Sequence, residues 1–465
     1  MRKNFFSRGT LAAFALISAA LLSACTISKV QGNKELAEKA LPTVAIPNQF
    51  AVISNVSGLQ VDDGWLKQFN DPELNELVAE ALKNNPDVQI IAARRSQSTA
   101  LIDAAGGAQY PGVNAIGNTG GKVGSSGTGI TGYYIGANWE LDLWGRVRTS
   151  VAGAEQNAKA INADQDAARL SLIATLTKSV WLARNLQEQA QLADDNALAA
   201  GKYAELIQTR ERIGASSLTE VSMANASAAQ SKEAALNAAQ TRDQALRAVQ
   251  ILLGRYPQAQ ALKTTKLPAL PEPVGTGLPA DLLERRLDLI AAEARVNSAF
   301  YLADEKRLAR LPKISLTTGF GYINSQVFTL LNGPNTSFGV GANAMIPLFQ
   351  GGTIEAQIAY QNAEAQAALA NYGKTVLTAF SDVENALSGE ASWRERSKQL
   401  EIQLNEQKRI MQNTRAELQI GRIDLRQVQQ QTIRTNTSEM NWRQGRLDAL
   451  TQRVNLYLAL GGSAN

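Results

Sequence analysis

The chain has 465 residues, with 46 Lys and Arg against 42 Asp and Glu, and a formal net charge of +4. This balance, without a basic stripe or a base-stacking motif, argues against a nucleic-acid-binding protein. There is no histidine and only one cysteine. An internal disulfide and a Cys- or His-based metal site are therefore excluded, and the commonest general base is missing. We expect no enzyme activity, no metal and no cofactor.

Residues 1–24 have the pattern of a signal peptide. Basic residues within the first eight positions precede an apolar stretch that is too short to span a bilayer. The tetrapeptide Leu-Ser-Ala-Cys that ends at Cys25 matches the bacterial lipobox, in which the new N-terminal cysteine is acylated. The alternative is an ordinary signal peptide with a chance cysteine. Thr26 stands where an aspartate would retain a lipoprotein in the inner membrane, so the sequence predicts outer-membrane anchoring through Cys25.

The segment that follows is polar and contains two prolines, which predicts an extended tether over residues 25–64. Apolar positions at helical spacing predict a helix over residues 65–84 and an Ala-rich helix over residues 88–108. No run of 18 or more apolar residues remains after the signal peptide. If the mature chain crosses a membrane, we expect it to do so as a closed β-barrel.

The proline distribution predicts very long helices. None of the 13 prolines lies between Gly112 and Tyr256, and none follows Pro347. Proline costs about 3 kcal/mol inside a helix, so its absence permits helices of about 67 residues, or about 100 Å. The predicted long helices cover residues 145–212, 217–253, 352–419 and 424–460. A proline-rich linker over residues 257–280 separates the two pairs.

Helices of this length must pair along their sides as coiled coils. Alanines repeat at helical spacing in the longer helix of each pair, and we interpret them as close-packing seams. The alternative is that they reflect helix propensity alone. The seams consist of Ala152, Ala158, Ala163, Ala167 and Ala174, and of Ala356, Ala359, Ala363, Ala367 and Ala370.

Short segments with strand-like alternation precede each long helix, over residues 113–123, 131–143, 314–323 and 337–347. In the last of them, Phe338, Val340 and Ala342 alternate with polar residues and glycines. This pattern is typical of transmembrane β-strands, with apolar side chains outward and polar ones inward. A soluble hairpin with one buried face is equally compatible with it.

The two halves of the chain repeat. Matching tripeptides and turns lie 201 residues apart before the long helices and 207 apart after them; they include Asn85-Pro86-Asp87 with Arg286-Leu287-Asp288, and Leu253-Gly254 with Leu460-Gly461. We assign residues 65–256 to a first structural repeat and residues 281–465 to a second. Each repeat holds a helix, two strands and two long helices. Four strands cannot close a barrel, so the sequence predicts a multimer.

Several motifs occur in an order that resembles the TolC-like outer-membrane factors, in particular their NodT-type lipoprotein branch. The motifs are the lipobox at Cys25, the Trp65 to Leu74 opening, Leu141-Asp142-Leu143-Trp144-Gly145-Arg146, Pro347-Leu348-Phe349-Gln350-Gly351-Gly352 and Ala459-Leu460-Gly461-Gly462. The resemblance implies an α+β membrane protein, internally duplicated. Three chains would form a 12-stranded transmembrane β-barrel that continues into a long periplasmic α-helical coiled-coil barrel.

The resemblance also implies partners and sites. A homotrimer would serve as the exit duct of a tripartite pump, together with a periplasmic adaptor (membrane fusion) protein, an RND-type inner-membrane pump and outer-membrane lipids, and without nucleic acid. The turns between long helices would form the periplasmic tips, with adaptor contacts at Gly214, Gly421 and Arg422. Where the family often has pore-narrowing aspartates, this chain has Gln427 and Gln430.

The acidic and basic residues near these glutamines are Glu220, Asp424 and Arg426. The glutamines put an acidic gate in doubt, although a ring of them could narrow the bore through hydrogen bonds. Alternatively, all five are solvated coiled-coil positions. Three other functions stay open: a type I protein-secretion duct, a trimeric structural lipoprotein without a pore, and a periplasmic enzyme that uses carboxylates.

Overall fold

A computed structural model of the protein describes residues 30–44, 50, 64–118, 130–273, 282–325 and 335–463. The predicted signal peptide and Cys25 lie outside the described residues, as does the end of the predicted linker from residue 274. Among the residues described, no helix is both long enough and apolar enough to traverse a bilayer.

In the residues that the structure describes, the first half contains a short N-terminal helix, a 3₁₀ helix, two medium helices, two strands and two long helices. These are α1 (Asn33–Ala40), the 3₁₀ helix (Trp65–Phe69), α2 (Pro72–Asn84), α3 (Pro86–Gly107), β1 (Gly112–Asn118), β2 (Ile130–Leu141), α4 (Arg146–Arg212) and α5 (Leu218–Leu252). The second half contains α6 (Leu282–Arg285), α7 (Leu287–Leu308), β3 (Lys313–Ser325), β4 (Asn335–Met345), α8 (Thr353–Gln419) and α9 (Leu425–Ala459).

Two short elements differ from the sequence-based expectation. Helix α1 lies in the segment that was predicted to be extended; its Leu36 and Ala37 are buried, and Lys39 pairs with Glu35 at 2.7 Å. The helix predicted over residues 65–84 is divided, because the Asp71 carboxylate caps α2 by accepting a hydrogen bond from the Leu74 amide at 3.0 Å. A capped helix begins at its cap, so the preceding turn forms a separate 3₁₀ helix.

The long helices have the same lengths in both halves. Helices α4 and α8 each have 67 residues, and α5 and α9 each have 35. The ends of α5 and α9 are also alike. Gly254 and Gly461 both have positive φ, and a Cβ there would lie 2.5 Å from the Asn84 carbonyl oxygen and 3.1 Å from the Arg285 carbonyl carbon, respectively. Glycine at these two positions therefore allows the end of α2 to lie against the end of α5, and the end of α6 to lie against the end of α9.

The four strands form one antiparallel sheet in the order β1-β2-β3-β4. Hairpins join β1 to β2 and β3 to β4, while β2 pairs with β3 and so links the two halves. Strands β1 and β4 lie at the two edges of this sheet.

The chain divides into two compact units, and each repeat contributes to both. One unit comprises Met1–Thr43, Arg94–Ala163 and Ile290–Lys374, and it contains the sheet and α1. The other comprises Val44–Ala93, Asp164–Leu289 and Thr375–Asn465. Its core is built around aromatic side chains: Trp65 stacks on Tyr457 at 5.7 Å between ring centroids, and Phe69 meets Trp181 edge-on at 4.8 Å.

Candidate functional site

The sheet has one apolar face and one polar face. The register places the alternating apolar residues of β3 and β4 on the same side: Phe320 is opposite Phe338, and Leu316 is opposite Ala342. Trp139 of β2 joins this face opposite Leu316. Phe338 and Val340 are 74% and 73% exposed in the single chain. An apolar face this exposed indicates contact with an apolar medium or partner.

Small and polar side chains predominate on the opposite face, which also carries Ile116 and Tyr134 as a facing pair. Its residues include Asn114 on β1, Asn138 and Glu140 on β2, Ser315 and Thr317 on β3, and Gly341 and Asn343 on β4. Water is the environment that suits this face. The sheet therefore has the two-sided chemistry of a wall between lipid and water.

The junction between β2 and α4 is closely bonded. The Asp142 carboxylate accepts hydrogen bonds from the backbone amides of Val147 at 3.0 Å and Arg148 at 2.9 Å, and so caps the 67-residue helix. The Trp144 indole donates to the Pro312 carbonyl at 2.7 Å. Gly145 supplies the positive φ of 79° that the turn requires.

An ionic cluster extends this junction. Arg146 binds Glu140 with two guanidinium nitrogens and reaches Glu305 at 2.9 Å, and Lys313 lies 2.8 Å from Glu140. These contacts tie the end of one strand to the start of the next and to α7. They give the Leu141–Arg146 motif a structural role in turning the chain from strand to helix.

The junction between β4 and α8 is built differently. Gly351 and Gly352 have φ of 59° and 82°, so this turn also depends on glycine. Leu348 and Phe349 are 92% and 87% exposed. In the single chain, the second junction therefore exposes apolar side chains, whereas the first junction is held by hydrogen bonds and ion pairs.

The first-repeat tip lies between α4 and α5. Gly214 has φ of 75°, and its amide donates to the Glu211 carbonyl at 2.8 Å, which ends α4. Ser217 and Glu220 form a capping box that begins α5: the Glu220 carboxylate accepts from the Ser217 amide at 2.9 Å, and the Ser217 hydroxyl accepts from the Glu220 amide at 3.2 Å. The Glu220 carboxylate is thus bonded to its own helix.

The second-repeat tip follows the same plan with different side chains. Gly421 has φ of 73°, and the Asp424 carboxylate accepts from the Gln427 amide at 3.1 Å to cap α9. Gln427 occupies the position that Glu220 holds in the first repeat. Arg422 is exposed beside Gly421.

The two tips share a cavity of about 250 Å³. It brings together four of the five predicted constriction residues, while Gln427 and the predicted adaptor-contact residues lie outside its lining; the four are Glu220, Asp424, Arg426 and Gln430. Apolar walls come from Ile207 and Met223. Burial, reinforced by the Asp424 carboxylate, raises the pKa of Tyr203, which also lines the cavity.

The N-terminal segment is docked at a site that was not predicted from the sequence. The Asn297 side chain binds both backbone groups of Gln31: its oxygen accepts from the amide at 3.0 Å, and its nitrogen donates to the carbonyl at 3.1 Å. The Tyr372 hydroxyl donates to the Asn33 carbonyl at 2.9 Å. Beside them, Lys159 lies 3.8 Å from the buried Glu293.

The inter-repeat linker is also held by side chains that sequence reasoning missed. Arg446 donates to the Pro268 carbonyl at 3.0 Å, and Arg394 donates to the Pro271 carbonyl at 2.8 Å. Arg453 is fully buried, bonds the Glu272 carbonyl at 2.5 Å and pairs with buried Glu390. These contacts join residues that are far apart in the sequence, so the residues next to each arginine do not indicate them.

Comparison with known proteins agrees with this geometry. The outer membrane efflux protein family matches residues 77–255 and 278–462. The chain is similar to the pyoverdine export outer membrane protein OpmQ of Pseudomonas aeruginosa, with 27% identity over 86% of this chain and 87% of that protein. It is also similar to the cation efflux system protein CusC of Escherichia coli O6:H1, with 26% identity over 90% of this chain and 94% of that protein.

A solved structure shows the same fold. The Campylobacter jejuni CmeC outer membrane channel superposes with a TM-score of 0.82 at 21% identity, covering 94% of this chain and 95% of that one. The predicted fold class, an internally duplicated outer-membrane channel of strands continuous with long helices, is confirmed, and so is the resemblance on which it was based. The chain belongs to the outer membrane efflux protein family.

Proposed function

We propose that three copies of this chain form the outer-membrane exit duct of a tripartite efflux pump. The observation that carries the proposal is the sheet, whose apolar and polar faces suit lipid and water and whose edge strands, β1 and β4, lie on opposite sides. Pairing β1 of one copy with β4 of the next extends the sheet, and three copies supply twelve strands. A closed sheet of that size leaves a water-filled interior.

The duct is passive in this proposal. It holds no catalytic centre and no cofactor, and the energy for transport comes from an RND-type pump in the inner membrane. A periplasmic adaptor contacts the tips at Gly214, Gly421 and Arg422, where two glycine-dependent turns expose the helix ends.

The cargo class is small molecules. One relative is named for pyoverdine export and another for cation efflux. The shared cavity at the tips is evidence for a constriction that includes Glu220, Asp424, Arg426 and Gln430. Gln427, which lies outside the cavity lining, is proposed as a further member. Since Glu220 and Asp424 also cap their helices, a change at either residue alters the tip structure as well as its charge.

The lipid anchor on Cys25 completes the proposal. Gln31, six residues after Cys25 in the sequence, is bound by Asn297, and six residues of chain span at most about 20 Å. Incorporation of labelled palmitate into the wild type, and its loss in Cys25→Ala, is the expected result. Equal labelling of both would disprove acylation at this residue.

The transport function is tested by deleting the gene and restoring it from a plasmid. We expect hypersensitivity to some members of a panel of antibiotics, dyes, detergents and metal ions, with raised intracellular accumulation that the plasmid reverses. If no compound has an effect once related ducts are also deleted, the small-molecule proposal fails. Loss of a secreted protein in the same strain would then assign the duct to type I secretion.

A further inference from the structure

A cluster of glycines from three neighbouring strands lies on the polar face of the sheet. Gly136 of β2 is directly opposite Gly319 of β3, and Gly319 is opposite Gly339 of β4. Gly321 lies two residues from Gly319 on the same face, opposite Tyr134. Glycine weakens a strand because it packs no side chain, so such a group calls for a close approach by another part of the molecule.

The side chain of Tyr134 makes that approach. A Cβ added to Gly319 would lie 2.1 Å from the Tyr134 hydroxyl oxygen and 2.4 Å from its Cζ. A Cβ at Gly136 would lie 2.4 Å from Cε1, and one at Gly321 would lie 3.1 Å from Cδ2. The tyrosine ring therefore lies along the sheet, in the space that three side chains would otherwise occupy.

Gly339 provides an internal contrast. It belongs to the same row of paired residues, yet a Cβ there would meet no atom within 4 Å. The close approach is thus specific to the three glycines beneath the ring of Tyr134.

We infer that Gly136, Gly319 and Gly321 hold Tyr134 flat against the inner wall of the duct, and that this position sets the width of the bore at its level. The inference rests on the proposed duct, in which the polar face lines the water-filled interior. Three copies would place three such rings around one level of the bore. With the rings flat against the wall, bulky solutes pass; with the rings turned inward, the passage narrows.

The contact predicts a simple mechanical response. A methyl group at position 319 would occupy the space that the outer end of the Tyr134 ring now fills. The tyrosine side chain can respond by changing its rotamer. The strand backbone can stay in place while Tyr134 rotates away from the sheet and toward the interior. A methyl group at Gly339 leaves the ring where it is, so Gly339→Ala is the matched control.

The first test is a cryo-electron microscopy structure of the full-length assembly in nanodiscs. In wild type and in Gly339→Ala, the Tyr134 ring should lie against Gly136, Gly319 and Gly321. In Gly319→Ala, the ring should be turned into the bore. A ring that already points inward in the wild type, or that does not move in Gly319→Ala, would overturn the inference. Gly136→Ala offers a second route to the same displacement if Gly319→Ala does not reach the membrane.

The second test measures resistance in the deletion strain with each variant at equal outer-membrane levels. Gly319→Ala should lower resistance to the bulkiest cargo by roughly twofold or more and leave small cargo unaffected, because pore width limits large solutes first. The double variant Tyr134→Ala/Gly319→Ala should restore wild-type resistance. Failure of the double variant to do so would overturn the role of the ring.

The same strains separate this inference from the proposed function. If wild type and empty plasmid give equal resistance and accumulation in a strain that also lacks the related ducts, small-molecule efflux is disproved, and the effect of Tyr134 on cargo size is disproved with it. If wild type restores efflux but Gly319→Ala matches it for every cargo size, the duct stands and the role of Tyr134 is wrong.

Discussion

The two repeats keep the same backbone but differ in chemistry at equivalent positions. In the first repeat, the Asn85 side chain donates to the Leu252 carbonyl at 2.8 Å; in the second, Arg286 donates to the Ala459 carbonyl at 3.2 Å. Both contacts join the residue before a 22-residue helix, α3 or α7, to the end of a 35-residue helix. The position of the contact is retained, whereas the residue that makes it has changed.

Larger differences mark contacts with segments that occur once. Arg453 and Glu390, which hold the linker, stand 207 residues after Leu246 and Ala183, both buried apolar residues. The docked N-terminal segment gives a second case. Asn297, which binds Gln31, stands 201 residues after Ser96. A duplicated chain has a single linker and a single N-terminus, so the two repeats meet these segments with different side chains. In the first repeat, for example, the Glu73 carboxylate accepts from the Lys263 amide of the linker at 2.7 Å.

The largest loss of stability is expected when Arg453 of the second repeat is replaced by leucine, the residue at the equivalent position of the first repeat. Arg453→Leu would leave the Glu272 carbonyl without its donor and the buried Glu390 with its longer ion pair to Arg394 at 3.2 Å, and should cost about 1.5–3 kcal/mol of stability. Thermal unfolding followed by circular dichroism measures the loss. The double variant Arg453→Leu/Glu390→Ala, which installs the first-repeat pair, should recover part of it. A double variant as unstable as the single one would show that the ion pair is not the cause.

The two close-approach glycines should differ in sensitivity. Gly254→Ala brings a Cβ to 2.5 Å from a backbone oxygen, while Gly461→Ala brings one to 3.1 Å from a backbone carbon. Both substitutions also strain a positive φ, at a cost of about 1–3 kcal/mol. We expect the unfolding midpoint to fall in both variants and further in Gly254→Ala. The reverse order would contradict the difference in packing between the repeats.

The docked N-terminal segment should depend on the second repeat alone. Asn297→Ala removes two hydrogen bonds to Gln31 and should weaken docking by about 1–2 kcal/mol. Trypsin cleavage at Lys34 or Lys39, followed by mass spectrometry, should accelerate in this variant. The first-repeat counterpart, Ser96→Ala, serves as the control and should leave the cleavage rate near that of the wild type. Equal acceleration in both variants would argue against a specific dock.

A smaller, pH-dependent effect is expected beside this dock. Burial raises the pKa of Glu293 above its ordinary 4.5, despite the opposing charge of Lys159. A raised folded-state pKa means that the protonated form is favoured. Its contribution to stability is full below the ordinary value and declines as pH rises through the raised one. Glu293→Gln should flatten this part of the stability–pH curve; an unchanged slope in the variant would assign it to another group.

The long elements could be predicted from the sequence, and the single-copy contacts could not. The absence of proline and the glycines at the turns predicted α4, α5, α8 and α9 to within two residues at each end, because these signals are local. Alternation predicted the strands and their faces for the same reason. Helix α1 and the contacts of Arg453 and Asn297 depend on residues far away in the chain, and no local pattern marks them. Comparing the two repeats position by position would have singled out Arg453 against Leu246.

The tip residues show a further limit. The sequence placed Glu220, Asp424, Arg426 and Gln430 near one another, and they line one cavity. It did not reveal that Glu220 and Asp424 are engaged in capping, since a carboxylate at a helix start fits a gate and a cap equally well. Their part in a constriction stays a prediction.

The central claim, that several copies join their edge strands into one duct, is tested most directly by the mass of the complex extracted from the outer membrane. Native mass spectrometry of the full-length protein in mild detergent should give an assembly of three chains. A complex that contains only one chain, at concentrations where it is fully folded, would contradict the account.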